Sequence, residues 1–224
     1  SDIDLRVVNQ AGTPGTVIGT AGNDAYVVDH RGDVIVESAG GGTDSVTSSI
    51  SFWLPDHVEN LVLTGSFNLA GFGNVLDNRI EGNAGNNHLE GGEGADLLIG
   101  GAGDDTYAIG NPQYTTLPTD DTVVEALNGG FDTIVTRNVF SLTLPANVER
   151  FVARWTYTDV ATITGNGLNN VIDLSQSIAD VGATLDGGAG ADTLIGGSGA
   201  DVFIVDNIGD VVIERAPKTP ATYF

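Results

Sequence analysis

The chain has 224 residues, 41% of them hydrophobic, so it can bury a real core and wholesale disorder is excluded. Thirty Asp and Glu stand against eight Lys and Arg, a formal charge of −22, and such a surface repels nucleic acid and anionic membranes. Cysteine is absent, which excludes a disulfide framework and a thiol nucleophile.

No run has the length of a transmembrane helix, and residues 1–20 do not resemble a signal peptide. The start at Ser1, without methionine, reads as a piece of a longer protein. Like charges oppose compaction, so the acidic excess calls for a cationic partner.

A nine-residue phrase recurs along the chain, G-G-x-G-x-D-x-U-x, with U a large apolar residue. Its first copy is degenerate: "GTAGNDAYV" from 19 places Asp24 sixth and Tyr26 eighth. The register continues through "VDHRGDVIV" with Asp33 and, after an 11-residue step, through "AGGGTDSVT" with Asp44. "ISFWLPDHVENLVLTG" (50–65) lacks the glycines. Four starts spaced by nine follow. "GNVLDNRIE" from 73 and "GNAGNNHLE" from 82 carry Asn78 and Asn87 sixth; clean copies from 91 and 100 carry Asp96 and Asp105.

The second half repeats the scheme. "TLPTDDTVV" from 116 carries Asp121 and "LNGGFDTIV" from 127 carries Asp132, again 11 residues apart. "FSLTLPANVERFVARW" (140–155) parallels 50–65, and "GNGLNNVID" from 165 carries Asn170. "SQSIADVGATLD" (175–186) breaks register. Clean copies from 187 and 196 then carry Asp192 and Asp201, and "VDNIGDVVI" from 205 carries Asp210. A unit of roughly 90 residues therefore overlies the short one. We read one solenoid domain over 1–224, with unit one at about 19–99, unit two at about 100–195 and a truncated third at 196–224.

A six-residue turn followed by a three-residue strand fits the phrase. Glycines in the first, second and fourth places allow backbone angles that a Cβ forbids. Strand alternation turns the eighth side chain inward, and Tyr26, Ile80, Leu89, Leu98, Tyr107, Ile172, Leu194 and Phe203 stand there. Two phrases make one circuit, so stacking gives two parallel sheets of very short strands, and helix has almost no place. The expected fold is all-β, a right-handed parallel β-roll or β-solenoid. Residues 46–72 and 135–164 read as metal-free rungs of the same coil, with "VENLVL" (58–63) as an inner strand.

Stacking also sets every second sixth-place carboxylate on one side, about 4.8 Å apart. Bare, they repel; a hard cation between them removes the conflict, with carbonyls of the glycine turns completing an all-oxygen shell. Ca²⁺ takes six to eight oxygens in loose geometry and suits this better than Mg²⁺ or Zn²⁺.

These phrases resemble the RTX (repeats-in-toxin, hemolysin-type) nonapeptide, which forms a calcium-binding parallel β-roll. The resemblance implies that each ion lies between a turn and the turn two phrases later, held by the sixth-place Asp and by turn carbonyls. It points to Asp96 with Gly91, Gly92, Glu93 and Gly94, and to Asp105 with Gly100, Gly101, Ala102 and Gly103. It points likewise to Asp192 with Gly187, Gly188, Ala189 and Gly190, and to Asp201 with Gly196, Gly197, Ser198 and Gly199. In the degenerate turns it implies Gly19, Ala21, Gly22 and Asp24, then Gly42 with Asp44. It also implies Gly73 with Asn78, Gly82 and Gly85 with Asn87, and Gly130 with Asp132. Asn at the sixth place keeps an oxygen but loses charge, so Asn78, Asn87 and Asn170 imply weaker sites. One ion per same-side pair gives several calcium ions, roughly six.

Asp33, Asp44, Asp121, Asp132 and Asp210 read either as further ligands or as solvated turn acids. Asp29 and Glu37 are expected to face solvent. His30, His57 and His88 share no metal-ligand spacing and are expected at the surface. Trp53 and Trp155 read as packed or capping aromatics, with a sugar-stacking platform as the other reading. No H-E-x-x-H, G-x-S-x-G or P-loop is present, so an enzyme is not expected.

The resemblance implies export by a type I machine, a secreted, extracellular or cell-surface life and folding coupled to calcium. The expected role is a structural segment of a large protein such as an adhesin. The alternative is a carbohydrate-binding or folding-assistance module appended to an exported enzyme. Surface polysaccharide and other domains of the parent protein are the partners to consider, with neither nucleic acid nor membrane insertion.

Overall fold

The computed structural model describes residues 4–7 (backbone only), 12–110, 121–136, 141–154, 162–177 and 182–215. The chain packs as two compact units, Ser1–Ile109 with Asp120–Gly130, and Gly110–Thr119 with Phe131–Phe224. Every element among the described residues is a strand.

The first unit begins with β1 (Asp4–Val7), β2 (Thr16–Ile18), β3 (Asp24–Val28) and β4 (Val34–Val36). Then come β5 (Ser45–Ser48), β6 (Phe52–Trp53), β7 (Asn60–Leu63), β8 (Ala70–Phe72) and β9 (Arg79–Glu81). It closes with β10 (His88–Glu90), β11 (Leu97–Ile99), β12 (Thr106–Ile109) and β13 (Thr122–Val124). Pairing is parallel and skips one strand each time: β1-β3-β5-β7-β9-β11-β13 on one side, and β6-β8-β10-β12 and the pair β2-β4 on the other. That is the two-phrases-per-circuit coil.

One register line shows what holds it together. Tyr26, Val46, Leu61, Ile80, Leu98 and Val123 are successive Cα partners across six strands, and none is more than 7% exposed. The three-residue strands β9, β10 and β11 each bury only the middle side chain. Burying one such side chain is worth about 1.5–3 kcal/mol, far too little for a strand alone. The repeats are stable only as a stack.

"VENLVL" is an inner rung as expected: β7 lies in the first sheet with Val58, Leu61 and Leu63 buried. Its turn needs a left-handed residue and uses His57 (φ 69°); the matching turn of the second unit uses Asn147 (φ 66°). The glycine-free rungs thus share one turn shape.

The second unit holds β14 (Thr133–Thr136), β15 (Ser141–Thr143), β16 (Arg150–Ala153), β17 (Thr162–Thr164) and β18 (Val171–Asp173). It ends with β19 (Thr184–Asp186), β20 (Thr193–Ile195), β21 (Val202–Ile204) and β22 (Val211–Ile213). Here too alternate strands pair, β14-β16-β18-β20-β22 and β15-β17-β19-β21. Register resumes at Thr184 after the irregular stretch, of which residues 178–181 lie outside the described residues. Ile134, Phe151, Ile172 and Leu194 are successive partners and fully buried.

Two eighth-place side chains depart from the expected interior. Phe203 is half-buried and Val212 is 41% exposed. They sit on β21 and β22, the terminal strands of their sheets, where no further described strand covers them.

Candidate metal centres

The sixth places line up in files beside the sheets. In the first unit Asp24, Asp44, Glu59, Asn78, Asp96 and Asp121 stand at the starts of β3, β5, β7, β9, β11 and β13. Backbone N–H groups link them: Asp24 N donates to Asp44 Oδ1 (2.7 Å), Asp44 N to Glu59 Oε2 (2.8 Å), Asn78 N to Asp96 Oδ1 (2.8 Å) and Asp96 N to Asp121 Oδ1 (3.2 Å). On the other side Asn87 N donates to Asp105 Oδ1 at 2.7 Å. The second unit repeats the pattern from Asp132 N to Glu149 Oε2 (2.8 Å), Asn170 N to Asp192 Oδ1 (2.7 Å) and Asp192 N to Asp210 Oδ1 (3.0 Å). Glu59 and Glu149 continue the files through the glycine-free rungs. Sequence reading passed over them, although "VEN" and "VER" hold the same place in both halves.

The ladder uses one carboxylate oxygen and leaves the other. Oδ2 of Asp44, Asp96 and Asp192 is buried with no hydrogen-bond donor, in side chains at most 1% exposed. Burial pushes all three carboxyls above their ordinary range, against the lowering effect of the N–H bond each accepts; Asp96 reaches about 7, helped by the Asp121 charge. An unpartnered buried carboxylate oxygen costs about 1–3 kcal/mol or more.

The first-place glycines face these oxygens. A Cβ on Gly91 would overlap Asp96 Oδ2, and one on Gly187 would overlap Asp192 Oδ2. One on Gly73 would overlap the Gly91 carbonyl oxygen and Asn78 Oδ1; Gly82 stands the same way to the Gly100 carbonyl and Asn87 Oδ1. Oxygens from two turns therefore converge where a side chain would be, in an all-oxygen cradle with an unsatisfied negative charge. The residues fit Ca²⁺.

The second- and fourth-place glycines do different work, stacking turn on turn. Gly92 and Gly94 have φ of 104° and 107°, and a Cβ there would press on the carbonyls of Asn74 and Leu76. Gly101 and Gly103, and Gly188 and Gly190, repeat this two phrases above their neighbours, and Gly42, Gly85 and Gly130 likewise abut the backbone of Gly22, Phe67 and Gly103. Glu93 and Ala102 donate their N–H to the Asn74 and Asn83 carbonyls. Ala21, Gly22, Ala102 and Ala189 are exposed and bring no side-chain ligand, whereas Ser198 is buried. Gly197 lacks the left-handed φ of its counterparts.

The asparagines behave in two ways at once. Asn78 Oδ1 borders the cradle, while its Nδ2 donates to the Val58 and Glu59 carbonyls (3.2 Å each). Asn170 does the same toward Val148 and Glu149, and Asn87 toward Leu69. On the side of the glycine-free rungs an amide N–H₂ thus satisfies carbonyls that a cation would satisfy elsewhere. Second-place Asn74, Asn83 and Asn166 add further amide donors to the same rungs.

Asp33 and Asp210 hold their own turns. Asp33 accepts from the N–H groups of Gly15, Asp29 and His30, and Asp210 from those of Asp192, Asp206 and Asn207. The Asp192 N–H, first among these, holds the Asp210 carboxyl below its ordinary range. Asp201 accepts from Ala183 N and Gly197 N, both at 2.7 Å.

Glu37 overturns its expected place in solvent: it is only 9% exposed. The two residues added by the 11-residue step fold it back into the turn, where Ser38 N donates to Oε1 (2.8 Å) and Tyr26 OH to Oε2. Asp24, Glu37 and Asp44 each offer an oxygen within 4.8 Å of the others. Burial, and next the bond to Glu37, raise the Tyr26 hydroxyl above its ordinary range. The 11-residue step of the second half gives Glu125 the same posture, with Ala126 N on Oε1 (2.6 Å) and Tyr107 OH on Oε2.

Trp53 is 62% exposed and stacks on Phe72 at 4.5 Å, both rings on one sheet face. It lines a groove of about 820 Å³ with Arg31, Ser51, Phe67 and Asn68. His57 is exposed; His30 and His88 are half-buried. Trp155 lies outside the described residues. Among the described residues no helix is long and apolar enough to cross a membrane.

A parallel coil of three-residue strands, with oxygen cradles between stacked glycine turns, is a calcium-binding β-roll. The comparisons agree. The family model of the RTX calcium-binding nonapeptide repeat matches in four copies, at residues 72–107 and 182–207. Endo-1,3-1,4-beta-glycanase ExsH of Rhizobium meliloti (strain 1021) is 41% identical over 69 residues, 31% of this chain and 15% of that protein. The match thus spans less than a sixth of that relative's length. No solved structure matches the chain. The stretches matched are thus RTX repeats, and RTX repeats bind calcium.

Proposed function

We propose that the chain is a calcium-rigidified, non-enzymatic segment of a larger secreted or surface protein such as an adhesin, exported by a type I machine and folded by the calcium it meets outside. The observation behind this reading is the row of buried carboxylates with an oxygen left over, Asp44, Asp96 and Asp192. Without a cation their charge opposes the fold. A cation that binds the folded chain and not the unfolded one stabilises it by about 2.7 kcal/mol per ion at a hundredfold excess over Kd. Roughly six ions, one per same-side pair of turns, would exceed the whole stability of an ordinary domain of about 5–15 kcal/mol.

The test is a calcium titration of the EDTA-stripped chain followed by far-UV circular dichroism, with magnesium as control. A cooperative coil-to-β transition with calcium alone supports the reading. A β spectrum already complete in EDTA would leave the apolar ladder as the sole organiser and overturn it.

The exposed Trp53 platform favours a second reading, a carbohydrate-contacting or folding-assistance module attached to an exported enzyme. ExsH, a glycanase by name, has the matching repeats in a small part of its length. A glycan array run with the wild-type chain and Trp53→Ala separates the two, since a purely structural segment shows no sugar preference.

A further inference from the structure

The 11-residue steps have a chemical consequence. Where phrases follow at nine, the oxygen facing a first-place glycine from the turn above is a neutral carbonyl: Gly91 O before Gly73 and Gly100 O before Gly82; across the irregular stretch Gly187 O stands the same way before Gly165. Before Gly19 the facing oxygens are instead those of the Glu37 carboxylate; before Gly100 they are Glu125 Oε2, Asp105 Oδ2 and the Tyr107 hydroxyl.

We propose that Glu37 and Glu125 are calcium ligands, each replacing the usual turn carbonyl by a carboxylate and creating two sites of higher charge than the regular ones. This rests on the calcium reading above and deepens it. Three features of the first site support it together. Glu37 is clamped at both oxygens, by Ser38 N and Tyr26 OH. Gly41 leaves room for Oε1, since a Cβ there would stand 2.5 Å away. Asp44, fully buried in the same cluster, keeps an Oδ2 with no donor. A carboxylate held that firmly beside Asp24 and Asp44 is unfavourable without a cation.

Glu125 reproduces the clamp and the glycine: Ala126 N and Tyr107 OH hold it, and Gly129 stands where Gly41 stands, again 2.5 Å from Oε1. The chain also contains its own contrast. Glu214 follows β22 as Glu37 follows β4, but Phe203 replaces the tyrosine, and Glu214 Oε2 lies 3.3 Å from the Cβ position of Gly196 in an exposed setting. The phenol therefore acts as a positioning group that turns a mobile glutamate into a fixed ligand, and Glu214 lacks it.

Calcium binding to the full chain by calorimetry tests this, using Glu37→Gln, Glu125→Gln and Glu214→Gln. Glutamine keeps the shape and one acceptor oxygen for the clamp but removes the charge. The first two variants are expected to weaken one ion each by roughly tenfold or more, with the remaining ions unchanged, because affinity follows ligand charge; Glu214→Gln is expected to change none. Unaltered affinities in Glu37→Gln and Glu125→Gln overturn the assignment while leaving the calcium reading standing. A wild-type chain that binds no calcium overturns both.

Should a glutamine variant fail to fold, terbium gives a second readout on a chain with both carboxylates intact. Tyrosine-sensitised emission is expected from the wild type and is expected to fall by more than half in Tyr26→Phe with Tyr107→Phe. Emission undiminished in that double variant overturns the placement of the ion beside these tyrosines.

Discussion

Asn78 and Asp96, eighteen residues apart, stand on the same side of consecutive circuits, joined by a 2.8 Å bond from the Asn78 N–H to Asp96 Oδ1. Asp96 Oδ2 is buried and has no donor. One oxygen is engaged by the fold and the other is left for a cation, so the charge that would hold an ion opposes the fold when none is bound.

Asp96→Asn should therefore change sign with conditions. In EDTA at pH 8 the variant is expected to be more stable than the wild type by about 1–3 kcal/mol, the cost of an unpartnered buried polar group. In saturating calcium it should be less stable by about 2.7 kcal/mol, the contribution of one ion at a hundredfold excess over Kd. Thermal midpoints under the two conditions measure this. The same sign in both would mean that Asp96 does not hold an ion.

The pH dependence follows from the same carboxyls. Folding raises Asp96 to about 7, and burial moves Asp44 and Asp192 in the same direction. A carboxyl raised on folding favours the folded state below its unfolded pKa of about 4, and that contribution is lost as pH rises through the folded value. The metal-free chain should thus gain structure as pH falls from about 7 to about 4, whereas most proteins lose stability on that path. Asp210, held low first by the Asp192 N–H, contributes with the opposite sign and only at the acid end. With calcium present, protons compete for the same oxygens, so the calcium midpoint should rise over that same interval. Circular dichroism against pH, in EDTA and in fixed calcium, reads both slopes.

Glycine substitutions separate shape from binding. Gly65 has φ 86° with open space around its Cβ position, so Gly65→Ala should cost only the backbone strain, about 1–2 kcal/mol. Its calcium stoichiometry should match the wild type. Gly91 has no left-handed φ, yet a Cβ there enters the cradle against Asp96 Oδ2. Gly91→Ala should lose an ion even where its backbone angle is permitted. Calorimetric stoichiometry on both variants checks the contrast, and equal ion counts would place the ion away from Gly91.

The parts that follow from period alone were legible in the sequence. The sixth and eighth places, once in register, located the aspartates and asparagines of the files, though not Glu59 and Glu149, and the Tyr26-to-Val123 ladder, including the strand inside "VENLVL". What depends on turn shape was not. "VDHRGD" and "VDNIGD" keep the aspartate, but their turns direct backbone N–H groups onto Asp33 and Asp210. The 11-residue step was visible as a number, but its meaning lay in where two extra residues put Glu37, and a surface glutamate is the ordinary expectation. The sixth-place asparagines looked like weakened aspartates because sequence shows an oxygen and hides the direction of the amide nitrogen.

That direction can be tested at Asn78. Its Nδ2 donates to the carbonyls of Val58 and Glu59, which come from a rung without glycine turns. In Asn78→Asp a carboxylate oxygen would face both carbonyls, three acceptors with no donor among them, inside a residue only 2% exposed. The expected loss at saturating calcium is about 1–3 kcal/mol, the penalty for leaving buried groups unsatisfied, with no additional ion bound. Thermal unfolding and calorimetric stoichiometry of the variant decide it. A variant as stable as the wild type that binds one more ion would mean that the file of sites extends across Glu59, and that asparagine there limits the number of ions rather than closing the stack.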